Sequence, residues 1–325
     1  MIKVAINGFG RIGKMLTRVL LEDPAISIVA INDLADIKIQ AHLFKYDSIH
    51  GKFNGTVEIQ DNNLVLNGNS IKYSSNELTD LNWTADIVVE STGQFTDEEN
   101  AKIHLNKGAG KVIISAPSKS ESVKTILIGI NDHLLTKSDR IISNASCTTN
   151  SVGPLIKILD DHYGIESAYI TTIHSYTGDQ RLHDSPHKDL RRARAGAQSI
   201  IPTTTGAAKA ITRIFPHLDG KIGGAGIRVP VPNGSLTDIS CVVKKSCEIK
   251  EINALFKKYA LSELEGILEY TEDPIVSTDV IGNRHSCIFD AQLTSVIGNM
   301  VKVVGWYDNE IGYANRLADL IKLMA

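Results

Sequence analysis

The sequence predicts an α/β protein of two domains, an N-terminal doubly wound parallel sheet followed by an α+β domain with a mixed or antiparallel sheet. Three observations carry that prediction. The chain has 325 residues, more than one hydrophobic core usually organises. Its first half alternates short apolar runs with helical segments, the rhythm of parallel βαβ units. Its second half carries longer runs that alternate apolar and polar residues, as antiparallel strands with one wet face do.

Taken in order, Ile2–Asn7 reads as a strand, 11–21 as a helix that Pro24 breaks, and 27–32 as the next strand. Further strands are expected at 87–90, 112–115, 125–128 and 140–143, with a helix at 97–107. In the second half, strands are expected at 168–174, Ile222–Val229, 237–244, 285–291 and Met300–Tyr307, covered by helices at 152–162, 205–215 and 250–261. Residues 176–198 are long, basic and aperiodic, the kind of segment that is functional or interfacial in a compact domain. Ile311, Ala314, Leu317 and Ile321 fall at helical spacing, an apolar stripe suited to the N-terminal sheet. The domains are expected at 1–146, completed by a helix at 310–325, and at 147–309.

Hydrophobic residues make up 42% of the chain and charged residues 22%, with a net charge of -3. No Lys/Arg block appears, so nucleic acid is not an expected partner. No apolar run approaches membrane-spanning length. The opening strand leaves no room for a charged and then apolar leader, so a cytoplasmic location is the expectation. The four cysteines form no CxxC pair and no zinc-spaced Cys/His cluster, so no metal site is expected.

Two local patterns point to chemistry. Gly8-Phe9-Gly10-Arg11-Ile12-Gly13 fits GxGxxG between a strand and a helix, where glycines let the backbone approach a pyrophosphate at a helix N-terminus. Asp33 ends the second strand, 20 residues after Gly13 (33 − 13), where an acid grips ribose hydroxyls. The pattern marks the N-terminal sheet as Rossmann-type. Asp33 also favours NAD over NADP, because a carboxylate facing a 2′-phosphate costs about 4 kcal/mol per charge pair at an effective dielectric of ~20.

The second pattern is Ser143-Asn144-Ala145-Ser146-Cys147-Thr148-Thr149-Asn150, between a strand and a helix expected to start near Thr148. A cysteine at a helix N-terminus has its thiolate stabilised by the dipole and by N–H donors. Cys241 and Cys287 sit in strand-like alternations, where burial is expected, and Cys247 lies in a polar stretch. At an ordinary pKa of ~8.5 only about 3% of a thiol is ionised at pH 7, so a nucleophilic cysteine profits from an imidazole. His174, at the end of a strand, is the candidate.

With those residues, Thr171-Thr172-Ile173-His174-Ser175-Tyr176-Thr177, Thr205-Gly206-Ala207-Ala208-Lys209, Arg228-Val229-Pro230 and Trp306-Tyr307-Asp308-Asn309-Glu310, the chain resembles the glyceraldehyde-3-phosphate dehydrogenases over essentially its whole length. The resemblance implies an NAD-dependent, phosphorylating oxidation of an aldehyde, with Cys147 as nucleophile and His174 as its proton partner. It implies a substrate-phosphate site near Thr177 and Arg228, and an inorganic-phosphate site near Ser146, Thr148, Thr205 and Gly206. Among the loop arginines Arg191, Arg192 and Arg194, Arg192 is the chosen anion contact. On the cofactor side it implies Gly8, Gly10, Gly13, Arg11 and Ile12 at the pyrophosphate, Asp33 at the adenosine ribose, Ser115 near the nicotinamide ribose, Asn309 on the carboxamide and Tyr313 near the ring. It implies a homotetramer with the 176–198 loop near an interface. Asn76 stands where many relatives carry an arginine near the adenine, Ser151 where many carry a cysteine, and Ile311 where many carry a bulky aromatic.

Three other functions share parts of this pattern. Erythrose-4-phosphate dehydrogenase shares the nucleophile and is favoured by 160–167, but 203–209 and Ser175-Tyr176-Thr177 suit the phosphate-using branch better. The nucleophile motif of semialdehyde dehydrogenases differs. A binding protein on this fold, one contacting RNA, is opposed by the net negative charge and the intact Cys–His–Thr–Arg set.

Overall fold

The structure is a computed structural model that describes all 325 residues, Met1–Ala325. The chain divides into two units: Met1–Ile128, Asp132–Ala145 and Ala314–Ala325 in one, Gly129–Asn131 and Ser146–Tyr313 in the other.

Apolar strands paired in parallel need cover on both faces, and in the first unit α-helices form three of the connections between strands. Its elements are β1 (Ile2–Asn7), α1 (Arg11–Leu20), β2 (Ile26–Asn32), α2 (Ile37–Lys45), β3 (Val57–Gln60), β4 (Asn63–Leu66), β5 (Asn69–Ser74), β6 (Ala85–Glu90), α3 (Glu98–Asn106), β7 (Ala109–Ile114), β8 (Lys124–Thr125) and β9 (Ile141–Ser143). The sheet order is β3-β4-β5-β2-β1-β6-β7-β9-β8, parallel from β5 through β8. β1 and β6 lie at its centre, with Val4, Ala5, Ile6, Val88 and Val89 fully buried. The chain reverses direction across the sheet beside β1, so the carboxyl ends of β1 and β6 flank a topological switch point, where open α/β sheets bind ligands.

Two features differ from the sequence expectation. β3, β4 and β5 add an antiparallel ribbon whose turns hold Asp61, Asn62, Asn67 and Gly68 at positive φ. The signal was present as Asp-Asn and Asn-Gly dipeptides between apolar runs. The strand expected at 125–128 stops at Thr125, because 126–128 leave the sheet.

The second unit contains α4 (Cys147–Tyr163), β10 (Ile165–Ser175), β11 (Ile201–Thr203), α5 (Ala207–Ile214), β12 (Ile222–Val229), β13 (Ser235–Val243), α6 (Ile249–Ala260), β14 (Leu268–Thr271), β15 (Cys287–Asp290), β16 (Ser295–Ile297), β17 (Met300–Tyr307) and the first turn of α7 (Ile311–Met324). Its eight-stranded sheet runs β11-β12-β10-β13-β17-β15-β14, with β16 on β17. The sheet is mixed. β12 lies parallel to β10, not antiparallel as its alternation suggested, because the connection through β11 and α5 brings the chain back to the same end. The buried face of α4, with Leu155, Ile156, Ile158 and Leu159, packs toward β13, β15 and β17. No helix of the protein is long and apolar enough to cross a membrane.

Candidate active site

In the first unit, the turn after β1 is shaped by close backbone contacts. Gly8 has φ +95°, and an added Cβ would lie 2.6 Å from the Thr92 backbone nitrogen; a Cβ on Gly13 would lie 2.2 Å from the Gly8 carbonyl oxygen. Gly10 faces open space. α1 starts behind it without a capping side chain. A loop with room above it and a helix N-terminus behind it is what a pyrophosphate needs. Arg11 and Ile12 open that helix. The Arg11 guanidinium, however, is engaged with Asp47 at 2.6 and 3.2 Å. Burial pushes the Asp47 carboxyl up, but N–H donation from His50 and the Arg11 guanidinium outweigh it and hold it below its ordinary value.

Asp33 follows β2 and lines a cavity of about 250 Å³ with Asn7, Gly10, Asn32, Asn76 and Thr92. Its carboxylate accepts the Phe9 N–H at 2.7 Å and the Ala35 N–H at 2.9 Å, so it braces the glycine loop as well as facing the cavity. Asn76, in the place of the expected arginine, turns its side chain to the Asp80 carbonyl at 3.4 Å. Ser115 follows β7 and donates its N–H to the Glu90 carbonyl at 2.9 Å. The turn with glycine at 8 and 10, the uncapped helix start and the acid on the cavity wall together fit a dinucleotide.

In the second unit, α4 begins at Cys147, one residue earlier than expected. Ser146 is its N-cap, its hydroxyl accepting the Thr149 N–H at 3.1 Å. Cys147 Sγ lies 3.5 Å from His174 Nε2. The parallel register of β10 and β12 sets Arg228 opposite His174. Arg228 Nη1 lies 2.5 Å from His174 Nδ1 and donates to the Ser175 carbonyl at 2.9 Å, while His174 Nδ1 is also 2.8 Å from that carbonyl.

The electrostatics differ from the simple expectation of a thiol acidified by its neighbour. Burial pushes the Cys147 thiol up, opposed by the Arg228 charge and by the donors at the start of α4. Burial pushes the His174 imidazole down to about 3, and Arg228 adds to that shift. The guanidinium thus favours a thiolate and opposes an imidazolium at the same site. The other three cysteines are buried, and burial raises the thiols of Cys241 and Cys287 to about 12. Cys147 alone is half-buried.

Several other site candidates already have partners inside the protein. The Thr148 hydroxyl lies 2.9 Å from the Tyr307 hydroxyl, which lies 2.9 Å from that of Thr172. Thr177 directs its N–H and its hydroxyl to Gln180 Oε1, at 2.8 and 3.2 Å. Arg192 pairs with Asp179 at 2.5 Å and donates to Thr203 at 2.8 Å. Arg194 pairs with Asp184 at 2.7 Å. Gly206, not Thr205, is the cap residue of α5, and the Thr205 hydroxyl accepts the Ala207 N–H at 3.2 Å. Asn309 Oδ1 accepts from the hydroxyls of Ser175 at 2.9 Å and Ser235 at 3.1 Å. Tyr313 is buried, and burial raises its hydroxyl well above the ordinary value.

Comparison with known proteins gives the family. Residues 2–98 match the family described as glyceraldehyde 3-phosphate dehydrogenase, NAD binding domain, and residues 146–309 match its C-terminal domain. The chain belongs to the glyceraldehyde 3-phosphate dehydrogenase family. It is 52% identical to the glyceraldehyde-3-phosphate dehydrogenase of Geobacillus stearothermophilus, over 100% of this chain and 98% of that protein. It is 51% identical to that of Thermotoga maritima, over 100% and 99%, and 49% identical to glyceraldehyde-3-phosphate dehydrogenase 1 of Bacillus subtilis, over 100% and 98%. Members of this family are NAD-dependent oxidoreductases acting on an aldehyde group, and NAD is the cofactor.

Sequence reasoning missed Tyr307, Gln180, Ser175, Ser235 and Asp47 as supports of the site. Tyr307 stood inside a recognised motif, yet nothing local marks its hydroxyl as the link between Thr148 and Thr172. Asp47 lies 36 residues from Arg11 and had no spacing to announce it.

Proposed function

We propose that the protein oxidises and phosphorylates D-glyceraldehyde 3-phosphate to 1,3-bisphosphoglycerate, with Cys147 as the covalent nucleophile. The observation that carries this reading is the Cys147–His174 contact at the N-terminus of α4, with Arg228 against the far side of the imidazole. The site residues fill matching roles. Cys147 sulfur attacks the aldehyde carbon, and His174 manages the proton of the resulting thiohemiacetal hydroxyl. NAD, when bound, supplies the hydride acceptor. The thioester left on Cys147 is attacked by inorganic phosphate, whose oxygen displaces the sulfur and yields the acyl phosphate.

Residues 1–146, with the helix at 310–325, would hold NAD through Gly8, Gly10, Arg11, Ile12, Gly13, Asp33 and Ser115, and residues 147–309 would carry the catalysis. Asn309 would present its amide N–H groups to the nicotinamide carboxamide, beside Tyr313. Thr177 and Arg228 would receive the substrate phosphate. Ser146, Thr148, Thr205 and Gly206 would receive inorganic phosphate, with Arg192 exchanging Asp179 for an anion. A cytoplasmic homotetramer belongs to the same reading: Leu182 and Leu190 stand exposed on the basic loop and Ile200 just after it, apolar surface that a subunit contact would cover.

The test is direct. Mixed with NAD, glyceraldehyde 3-phosphate and phosphate or arsenate, the protein should produce NADH. A higher kcat/KM for erythrose 4-phosphate, with no dependence on phosphate, would sink this reading.

A further inference from the structure

Glu90 ends β6 beneath the glycine loop, 1% exposed and outside the set of residues that line the cavity. Its carboxylate accepts from four donors. Oε2 receives Asn7 Nδ2 at 2.6 Å and His104 Nε2 at 3.0 Å; Oε1 receives the Thr92 N–H at 2.8 Å and its hydroxyl at 2.5 Å. The tautomer of His104 follows from its other neighbour. The Trp83 indole N–H is a donor only and lies 3.0 Å from His104 Nδ1, so Nδ1 accepts and Nε2 carries the hydrogen that faces Glu90.

The bonds continue outward from both oxygens. With its amide nitrogen on Glu90, Asn7 must turn Oδ1 the other way, where it accepts from Asn32 Nδ2 at 2.9 Å. Asn32 Oδ1 then faces the Asn76 N–H at 2.9 Å and the Ser74 hydroxyl at 2.8 Å. On the other side, the Thr92 hydroxyl oxygen accepts the Gln94 N–H at 3.1 Å. Asn7, Asn32, Asn76, Thr92 and Gln94 all line the cavity. An amide can flip and present either end, so each orientation in this chain depends on the one before it.

We infer that Glu90 is a positioning residue for NAD: it orients the polar wall of the cavity through Asn7 and Thr92 without itself lining it. The inference rests on reading this cavity as the adenosine side of the NAD site. Electrostatics separates positioning from simple charge. Replacing Glu90 by glutamine removes a buried negative charge near where the pyrophosphate would sit, which on charge alone would tighten binding of an anion. It also sets an NH₂ against a group that can only donate on either side, the Thr92 N–H or the Nε2–H of His104, which breaks the chain of orientations.

The experiment is calorimetric binding of NAD and of ADP-ribose, which lacks nicotinamide, to the full-length protein and to Glu90→Gln, Thr92→Val, Thr92→Ser and Asp33→Ala. Glu90→Gln should weaken both ligands by the same factor, about tenfold, and most of its kinetic loss should appear in KM for NAD rather than in kcat. Thr92→Val should weaken both ligands and Thr92→Ser should restore them, which keeps the test intact if Glu90→Gln does not fold. Unchanged or tighter binding by Glu90→Gln, with only its melting temperature lowered, overturns the inference. So does equal binding by the two Thr92 variants. If Asp33→Ala binds both ligands like the parent, the cavity is not the adenosine site and the underlying reading fails instead.

Discussion

The cavity of the first unit and the thiol site of the second are both built from buried polar groups, yet they handle protons in opposite ways. Around Glu90 each hydrogen has one place: Trp83 donates to His104, His104 donates to Glu90, and the amides follow in sequence. Around His174 two assignments compete. If Arg228 donates to Nδ1, Nε2 carries the hydrogen and points it at Cys147, which suits a thiolate or a developing oxyanion. If Nδ1–H donates to the Ser175 carbonyl, Nε2 offers its lone pair to the thiol, which suits removal of a proton. A covalent aldehyde oxidation needs both arrangements in turn. A surface that binds gains from fixed hydrogens, and a site that moves protons gains from two assignments close in energy.

The sharpest break in that comparison comes from removing the sulfur. Cys147→Ser should lower turnover by at least about a thousandfold, since in the proposed reaction the thiol is the nucleophile and serine is a far weaker one at neutral pH. NAD affinity measured by titration should stay within about twofold. Substantial remaining turnover would remove Cys147 from its role.

Arg228→Gln sharpens the electrostatic half. The guanidinium lowers both the Cys147 thiol and the His174 imidazole, so its loss should raise both. The deprotonated thiol is the reactive form, so the rise of Cys147 alkylation rate with pH should move to higher pH and the rate at pH 7 should fall. Iodoacetamide labelling across pH, without substrate, reads this directly; an unmoved or lower-pH profile would mean that Arg228 does not set the charge at the thiol.

The smallest effect tests whether proton placement, rather than general stability, controls the cavity. Asp97 caps α3, the helix that carries His104, by accepting the Asn100 N–H at 2.9 Å. Asp97→Ala should cost about 1 kcal/mol of stability at neutral pH, with NAD affinity unchanged. The Asn100 N–H and side chain lower the Asp97 carboxyl below its ordinary 3.8. A depressed acid stabilises above its unfolded value and loses that contribution as pH falls through the folded one. The difference in melting temperature between variant and parent should therefore shrink below about pH 4. A constant difference across pH would assign the loss to packing.

What could be read along the chain divides cleanly by distance. The glycine turn, Asp33 and the thiol at a helix start were legible because each depends on neighbours a few residues away, or on one strand–helix–strand unit. The hairpin at 57–74 was equally local, and its Asn67-Gly68 turn was visible but unused. The direction of β12 was not legible, since alternation shows which face is buried and says nothing of whether a strand runs with or against its neighbour.

By itself the sequence determined the fold class, many of the longer elements and the two local chemistries, because periodicity and backbone requirements act over short spans. Only the tertiary structure decided that Arg228 faces His174 from 54 residues away, that Asp47 takes the Arg11 guanidinium, and that Glu90 gathers Asn7 from 83 residues away together with Thr92 and His104. Those are pairings of polar groups far apart in the chain. Any of several donors in the sequence could have met each acceptor; the register of β12 on β10 sets Arg228 opposite His174, and that of β6 on β1 sets Glu90 opposite Asn7.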